Sequence, residues 1–401
     1  MNWIDVIGAG PGDESLLTFD ARAAIDGADA VWCAERHMAL VPADKRRPLS
    51  PFGAAMDAIE QARAAGEKIA VLLSGDTGLY SMLPLLTKRF GRDALRVHPG
   101  VSSLQAFCAR LGETWQNAAI LSAHGRELSP EALCFHARTN ARTLLLLDAE
   151  RNPRWVRAAL DAGGLEALSL TVGERVSYGD ETIAPFEDRD YDPLSVAMIE
   201  NPSPEKGLPP VGLSDDAFIR AKTPMTKREI RAQVISSLRL APDSVVWDVG
   251  AGTGSVTVEC ARQCPLGQVY AVERDEDALS LIRQNIARFH LQNVAVVPGS
   301  APDALHGLPT PTHVFLGGTG GETRDILALI EALNAPVRVC ATAVTMETTA
   351  FLTEALASYE HFEAAQITVS RLEKVGRYRM LRAQNPVFVF SADILPKEEE
   401  A

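Results

Sequence analysis

No stretch of the chain reaches the eighteen or so consecutive apolar residues that a membrane-spanning helix needs. No basic segment followed by an apolar one opens it, and its first twenty residues read as strand, turn and helix with acids. A cytoplasmic protein without a membrane partner is the expectation. There is no C-x-x-C pair. The six cysteines (Cys33, Cys108, Cys134, Cys260, Cys264 and Cys340) are scattered, and the nearest two have i,i+4 spacing on a predicted helix, so reduced, buried thiols are expected. The eight histidines make no H-x-H or H-x-x-x-H set, and no metal site in the polypeptide is expected. Positive charge is short as well, 39 Lys and Arg against 52 Asp and Glu. The net charge of −13 leaves no general basic face with which to release counterions from nucleic acid.

What is present is enough for two cores. A chain of 401 residues exceeds the size at which one hydrophobic core stops growing. Up to about Asn201, short apolar runs (Trp3 to Ile7, Ala30 to Trp32, Lys68 to Leu73, Arg96 to His98, Ala118 to Leu121, Thr143 to Leu147, Ser169 to Val172, Ser195 to Ile199) alternate with helical patterns, which predicts an α/β fold. Then four prolines fall within ten residues, from Asn201 to Pro210, too many for a helix interior or a central strand. The predicted organisation is a domain over 1–201, a proline-rich linker over 202–215 and a second domain over 216–401. The second half alternates strand and helix from Lys227 onward, which predicts a doubly wound parallel sheet, with two closing apolar runs at Ala364 to Val369 and Pro386 to Phe390.

Two glycine-rich turns follow apolar runs: Gly8-Ala9-Gly10-Pro11-Gly12-Asp13 and Gly250-Ala251-Gly252-Thr253-Gly254-Ser255. In the second, Glu273 ends the next predicted strand 273 − 252 = 21 residues past the middle glycine, a spacing that suits an acid gripping both hydroxyls of an adenosine ribose. There is no glycine at the third position of G-x-G-x-x-G, and Asp248 stands just before the turn, where a pyrophosphate would meet repulsion. A ligand with an ammonium group in place of phosphates would be drawn to it, and S-adenosylmethionine has ribose, adenine, ammonium and no phosphate. The first turn is followed by Asp13 and Glu14, which also oppose a phosphate at a helix entrance. A dinucleotide oxidoreductase is the rival reading, and each turn could also be a tight turn with no ligand.

The stretch Asp248 to Ser255, with Tyr270-Ala271-Val272-Glu273-Arg274, resembles the first two motifs of class I methyltransferases. Phe315-Leu316-Gly317-Gly318-Thr319-Gly320-Gly321, Pro298 to Leu305 and Met225 to Arg231 narrow this to the family that methylates precorrin at carbon 15 and decarboxylates its acetate side chain. In the first half, Ser74-Gly75-Asp76-Thr77-Gly78-Leu79-Tyr80-Ser81, Pro99-Gly100-Val101-Ser102-Ser103 and Ser122-Ala123-His124-Gly125-Arg126 resemble the tetrapyrrole methylases. Many of those have proline where this chain has Thr77, which leaves the turn less rigid. The resemblance implies an N-terminal class III methyltransferase fold of two α/β subdomains and a C-terminal Rossmann-like class I fold. It also implies one S-adenosylmethionine per domain, and methylation of a precorrin-6-type tetrapyrrole at carbons 5 and 15 with loss of the ring-C acetate carboxylate, giving precorrin-8 in cobalamin biosynthesis. A cobalt-bearing substrate for the same step and a non-catalytic tetrapyrrole carrier are the other readings.

By the same resemblance, cofactor contacts fall on Thr226, Gly250, Ala251, Gly252, Thr253, Gly254, Glu273 and Ala301 in the second domain. In the first they fall on Asp76, Leu79, Ser102 and Ser103. A sulfonium is an activated methyl donor, so alignment and exclusion of water are the main demands, and no nucleophilic side chain is needed. Glu347 and His313 are weak candidates for acid or base; a helix start and a strand start explain them equally well. For the substrate carboxylates the basic run Arg371, Lys374, Arg377, Arg379, Arg382 is favoured, the last three above all, because guanidinium forks bind carboxylates bidentately. A solvated loop would carry the same letters. Family members assemble, so a homo-oligomer is expected, through the first domain at least.

Overall fold

The computed structural model describes residues 3–125 and 127–396. Its contacts divide it into two units that part between Pro204 and Glu205, the short segments 130–135 and 161–165 belonging with the second. Among the described residues no helix is long and apolar enough to cross a membrane, and all six cysteines are buried.

In the first unit, β1 (Ile4–Gly8), β2 (Ala30–Cys33), β3 (Arg46–Pro48), β4 (Ile69–Leu73) and β5 (Leu95–His98) form a wholly parallel sheet in the order β3-β2-β4-β1-β5. Alternation along each strand feeds two cores: Ile4, Val6, Trp32 and Val71 enter one, Ile7, Val31, Cys33 and Leu72 the other. A parallel strand covered on both faces is apolar throughout, which is why β4 reads as the unbroken run Ile69-Ala70-Val71-Leu72-Leu73. Thr18 caps the helix Phe19–Gly27, its hydroxyl accepting from the Ala21 amide at 3.1 Å.

The second sheet of this unit is mixed. β6 (Ala119–Ser122), β7 (Arg142–Leu146), β8 (Ser169–Glu174), β9 (Thr182–Pro185) and β10 (Ser195–Glu200) run in the order β6-β7-β10-β8-β9, with only β6 and β7 parallel. The two α/β subdomains implied by the resemblance are therefore present. Strands β3 and β9 were not expected; both are short edges with mostly exposed residues and a proline, so they carry no hydrophobic signal.

The second unit holds β11 (Val245–Val249), β12 (Gln268–Glu273), β13 (Val294–Pro298), β14 (His313–Leu316), β15 (Val337–Ala343), β16 (Glu360–Ile367), β17 (Ser370–Val375), β18 (Tyr378–Ala383) and β19 (Val387–Ile394). Seven of these make one sheet in the order β13-β12-β11-β14-β15-β19-β16. The first five are parallel, but β19 is antiparallel to both β15 and β16, so the all-parallel expectation fails at that edge. The chain leaves β11 toward β13, then returns to β14 on the other side. That reversal opens a crevice at the carboxyl ends of β11 and β14. β17 and β18, which carry the basic run, form a separate antiparallel hairpin.

Part of the expected linker is docked on the second unit. Proline lacks an N–H but keeps its carbonyl, and Pro209 O accepts from Gln263 Nε2 at 2.6 Å. The Gly212 and Leu213 amides donate to the Glu259 carboxylate at 2.8 and 2.9 Å. Glu259 in turn pairs with Arg231 at 2.8 Å, both essentially without solvent contact. Arg231 also reaches Asp215, the Leu213 carbonyl and the Thr226 carbonyl, with its guanidinium 4.5 Å from the Phe218 ring centroid. One buried cation thus fastens residues 213–226 to two helices.

Arg231→Ala is expected to lower the stability of the second unit by about 3–5 kcal/mol, because Glu259 would keep a buried charge without its partner. Urea unfolding measures this, and an unchanged midpoint contradicts the role given to Arg231.

Candidate functional site

In the first unit the glycines of the opening turn serve the backbone. A Cβ on Gly8 would lie 2.6 Å from Gly100 N and 2.8 Å from Gly75 O, and one on Gly100 would lie 2.4 Å from Gly75 O. The loops after β1, β4 and β5 therefore touch through bare backbone, and Gly10 and Gly75 exchange hydrogen bonds at 3.2 and 2.8 Å. Gly12 packs under Tyr178, where a Cβ would approach the ring to 2.3 Å. The acids after the turn are spent locally. Asp13 accepts from the Ser15 amide at 2.7 Å; hydrogen bonding to the Ser15 side chain and then to its backbone holds the Asp13 carboxyl below the usual range, and Glu14 pairs with Arg22.

A cleft of about 140 Å³ opens at these strand ends. Asp76, Leu79, Ser102 and Ser103 all line it, with Ser122 and His124 from the end of β6 and Tyr80, Tyr178 and Arg36 around them. A neighbouring cavity of about 400 Å³ shares Asp76, Leu79 and Ser102. The Asp76 carboxylate bridges two loops, accepting from Gly78 N at 2.8 Å and Gly100 N at 3.0 Å. Ser102 forms a capping box with Gln105 at the start of the helix Ser103–Leu111. Thr77 is buried and donates its hydroxyl to the His98 carbonyl at 3.4 Å, a tie across the turn that proline could not make. Arg126 lies outside the described residues.

In the second unit a cleft of about 1040 Å³ occupies the crevice between β11 and β14. Thr226, Gly250, Ala251, Gly252, Thr253 and Glu273 line it together. Gly250 has φ +73°, and a Cβ there would stand 2.2 Å from Gly318 O, so only glycine lets these two loops meet. Glu273 accepts from Gly252 N at 2.9 Å with one oxygen and from Arg274 N and Asp275 N at 2.8 and 3.0 Å with the other. The acid thereby fixes the glycine loop against the end of β12. The Thr253 hydroxyl is buried without a hydrogen-bond partner among the described residues. Gly254 is set back as the N-cap of the helix Ser255–Gln263, against Ile282, and Ala301 lines a small adjoining cavity with Glu273 and Gly318.

Several expectations need correction. Asp248 does not face the cleft: it is fully buried, accepts from the Thr257 hydroxyl, and is pushed up to about 7 by burial. Its Oδ1 has no hydrogen-bond partner among the described residues. The charge argument built on it therefore does not hold. His313 opens β14 at the amino end of the sheet, opposite the cleft, where burial holds its ring below the ordinary histidine range. Glu347 is exposed in the first turn of the helix Met346–Leu356 and lines neither cavity of this unit.

The basic run is divided by the two-residue period of its hairpin. Cross-strand pairing puts Arg371 opposite Arg382 on one face and Lys374 opposite Arg379 on the other, with Arg377 in the turn, its guanidinium 4.9 Å from the Tyr378 ring centroid. Arg371 is taken up by Glu229 at 2.6 Å and Asp215 at 3.2 Å. Of the favoured three, Arg382 alone lines the cleft, beside its partner Glu373. Lys222, Lys227 and Arg274 line it too, and none of them was singled out from the sequence. Their signal was available: Lys227 and Arg274 fall inside motifs quoted for other residues.

Residues 4–187 match the family described as tetrapyrrole (corrin/porphyrin) methylases, and residues 216–393 match the precorrin methyltransferase domain. A Sinorhizobium protein named precorrin-6Y C(5,15)-methyltransferase [decarboxylating] is 32% identical over 87% of this chain and 86% of its own. A Pyrobaculum calidifontis protein named probable cobalt-precorrin-6B C(15)-methyltransferase (decarboxylating) is 40% identical over 45% of this chain and 95% of its own. The solved structure of a precorrin-6Y C5,15-methyltransferase from Geobacter metallireducens is 37% identical, covers 46% of this chain and 98% of its own, and has a TM-score of 0.44.

Asp248 yields a signed pH dependence. Its folded value of about 7 lies above the ordinary aspartate value of 3.8, so between them the folded carboxyl keeps a proton that the unfolded one has lost. Its contribution to stability is present below the lower value and is lost as pH rises through the upper one. Asp248→Asn is expected to flatten that part of the stability curve in pH-dependent denaturation; curves parallel to wild type contradict the assignment.

Proposed function

Because the chain belongs to the decarboxylating precorrin-6Y C5,15-methyltransferase family, we propose that its two clefts divide that reaction, each with its own S-adenosylmethionine. The chain is an S-adenosylmethionine-dependent enzyme of cobalamin biosynthesis that methylates a precorrin-6-type tetrapyrrole at carbons 5 and 15 and removes the ring-C acetate carboxylate. The first unit takes carbon 5. The second takes carbon 15 and the decarboxylation, a pairing supported by relatives that span under half of this chain and carry both in their names.

The observation that carries this reading is the convergence of Thr226, the 250–253 loop and Glu273 on one crevice. The fit to the cofactor is favourable: the cradle is bare glycine backbone, an acid stands at its rim, and the Thr253 hydroxyl lacks a partner among the described residues. When bound, the cofactor supplies an electrophilic methyl group on a sulfonium. Glu273 holds the ribose hydroxyls, exchanging backbone donors for them. Thr226, its carbonyl gripped by Arg231 at 2.6 Å, closes the opposite wall. Lys222, Lys227, Arg274 and Arg382 take the tetrapyrrole carboxylates and set the ring carbon against the methyl group. Attack by an electron-rich meso carbon leaves an iminium in the substrate. Loss of the neighbouring acetate carboxylate as carbon dioxide returns an electron pair to that iminium, so methylation and decarboxylation belong in one cleft.

In the first unit, Asp76, Leu79, Ser102 and Ser103 are the proposed cofactor contacts. The reading extends to a cytoplasmic homo-oligomer. Six buried cysteines support a reducing compartment, and the exposed Leu372, Val375, Met380 and Leu381 of the β17–β18 hairpin support assembly.

Mass spectrometry of the product formed from a reduced precorrin with isotopically labelled S-adenosylmethionine is expected to show two added methyls and one lost carboxyl. Glu273→Ala is expected to weaken the second site by about a hundredfold through loss of charge-assisted hydrogen bonds. Its product then carries the carbon-5 methyl and retains the acetate. Loss of both methyls together contradicts the division of labour.

A further inference from the structure

Arg36 lines the first-unit cleft and forms no ion pair among the described residues. It is nonetheless held in place. Its Nη2 donates to Ser74 Oγ at 2.5 Å, and Ser74 Oγ lies 2.7 Å from His37 Nε2, with Arg36 Nε 3.3 Å from the same nitrogen. His37 is 1% exposed, and burial together with the adjacent guanidinium holds it down at about 4. It is therefore a neutral acceptor at physiological pH, and the proton order is fixed: Arg36 donates to Ser74, and Ser74 donates to His37. The fork is pre-oriented by two groups that carry no charge.

The Asp76 carboxylate in the same cleft forms no ion pair with Arg36 among the described residues; its two oxygens accept from Gly78 N and Gly100 N. Ser122, at the end of β6, is 6% exposed, lines the same cleft, and has a hydroxyl with no hydrogen-bond partner among the described residues. A buried hydroxyl without a partner loses several hydrogen-bonding opportunities that water would have filled. A fixed guanidinium that forms no ion pair and a hydroxyl without a partner, both among the described residues and both lining one small cleft, are donors suited to a carboxylate.

The geometry points to a carboxylate anchor in the first-unit cleft, with Arg36 and Ser122 as the binding residues and Ser74 and His37 as positioning residues. The anchor rests on the reading of this unit as the carbon-5 methyltransferase. Two ligands of that reaction carry a carboxylate, the tetrapyrrole periphery and the amino-acid end of the cofactor, and the anchor takes one of them.

The test uses the full chain with Arg36→Gln, Arg36→Lys and Ser74→Ala. Carbon-5 and carbon-15 methylation are followed separately by product mass, and S-adenosylmethionine binding by calorimetry. Arg36→Gln is expected to raise the KM for the precorrin at carbon 5 by about 10- to 100-fold, with kcat changed less, if the tetrapyrrole carboxylate is bound. It is expected to weaken one cofactor site by the same factor if the cofactor's carboxylate is bound. Arg36→Lys restores little in either case, since an ammonium lacks the fork. Ser74→Ala, which leaves the charge and removes its anchor, gives a smaller change in the same parameter. Carbon-15 methylation stays at the wild-type level throughout and reports that the chain is folded. An unchanged carbon-5 KM together with unchanged cofactor affinity in Arg36→Gln overturns the anchor. A wild-type chain that never methylates carbon 5 overturns the underlying reading of the unit, and the anchor with it.

Discussion

Both clefts depend on backbone meeting backbone at the carboxyl ends of parallel strands. In the first unit the loops after β1, β4 and β5 approach so closely that no Cβ fits at Gly8 or Gly100, each of which packs on the backbone of Gly75. In the second the loop after β11 meets the loop after β14 under the same restriction at Gly250, which packs on the backbone of Gly318. A side chain at these points would push the loops apart and fill the space a ligand needs. The glycines sacrifice conformational entropy in the unfolded chain for that proximity, and the rest of each site is arranged around it.

Acids then lock the approach. Asp76 ties the loop after β4 to Gly100, and Glu273 ties the end of β12 to Gly252, each by accepting backbone amides. The two turns nevertheless differ in use. The glycines of the first turn mainly support packing, and its cleft is lined by later segments, Ser74 to Tyr80, Ser102 to Ser103 and Ser122 to His124. In the second unit the glycine turn is itself a wall of the cleft. Two folds thus reach a similar cradle by different routes, one with a mixed second sheet opposite the strand ends and one at the switch point of a single sheet.

Buried and central features were legible in the sequence because periodicity and punctuation report on them. Apolar runs such as Ile69 to Leu73, the Thr18 cap and the glycine turns each left a local signal. The edge strands β3 and β9 left none, since an exposed edge tolerates almost any residue. The hairpin at Ser370–Ala383 was hidden by its charge, although Gly376-Arg377 between alternating strands was a turn signal. A run of basic letters suggested one patch, and strand alternation placed it on two faces. Asp248 misled for a related reason: a carboxylate beside a glycine turn was expected to face the ligand, whereas the pleat of β11 turns it into the core. Lys227 and Arg274 sat unremarked inside motifs read for other residues, and Lys222 became visible only when the fold brought distant segments to one crevice. Arg36 was invisible for the same reason, because its environment is made by Ser74 and Ser122, many residues away.

The central claim is that one chain holds two separate cofactor clefts. Isothermal titration of the full chain with S-adenosylmethionine tests it most directly. The account predicts a stoichiometry of about two per chain, one in each unit. A stoichiometry of one would contradict it.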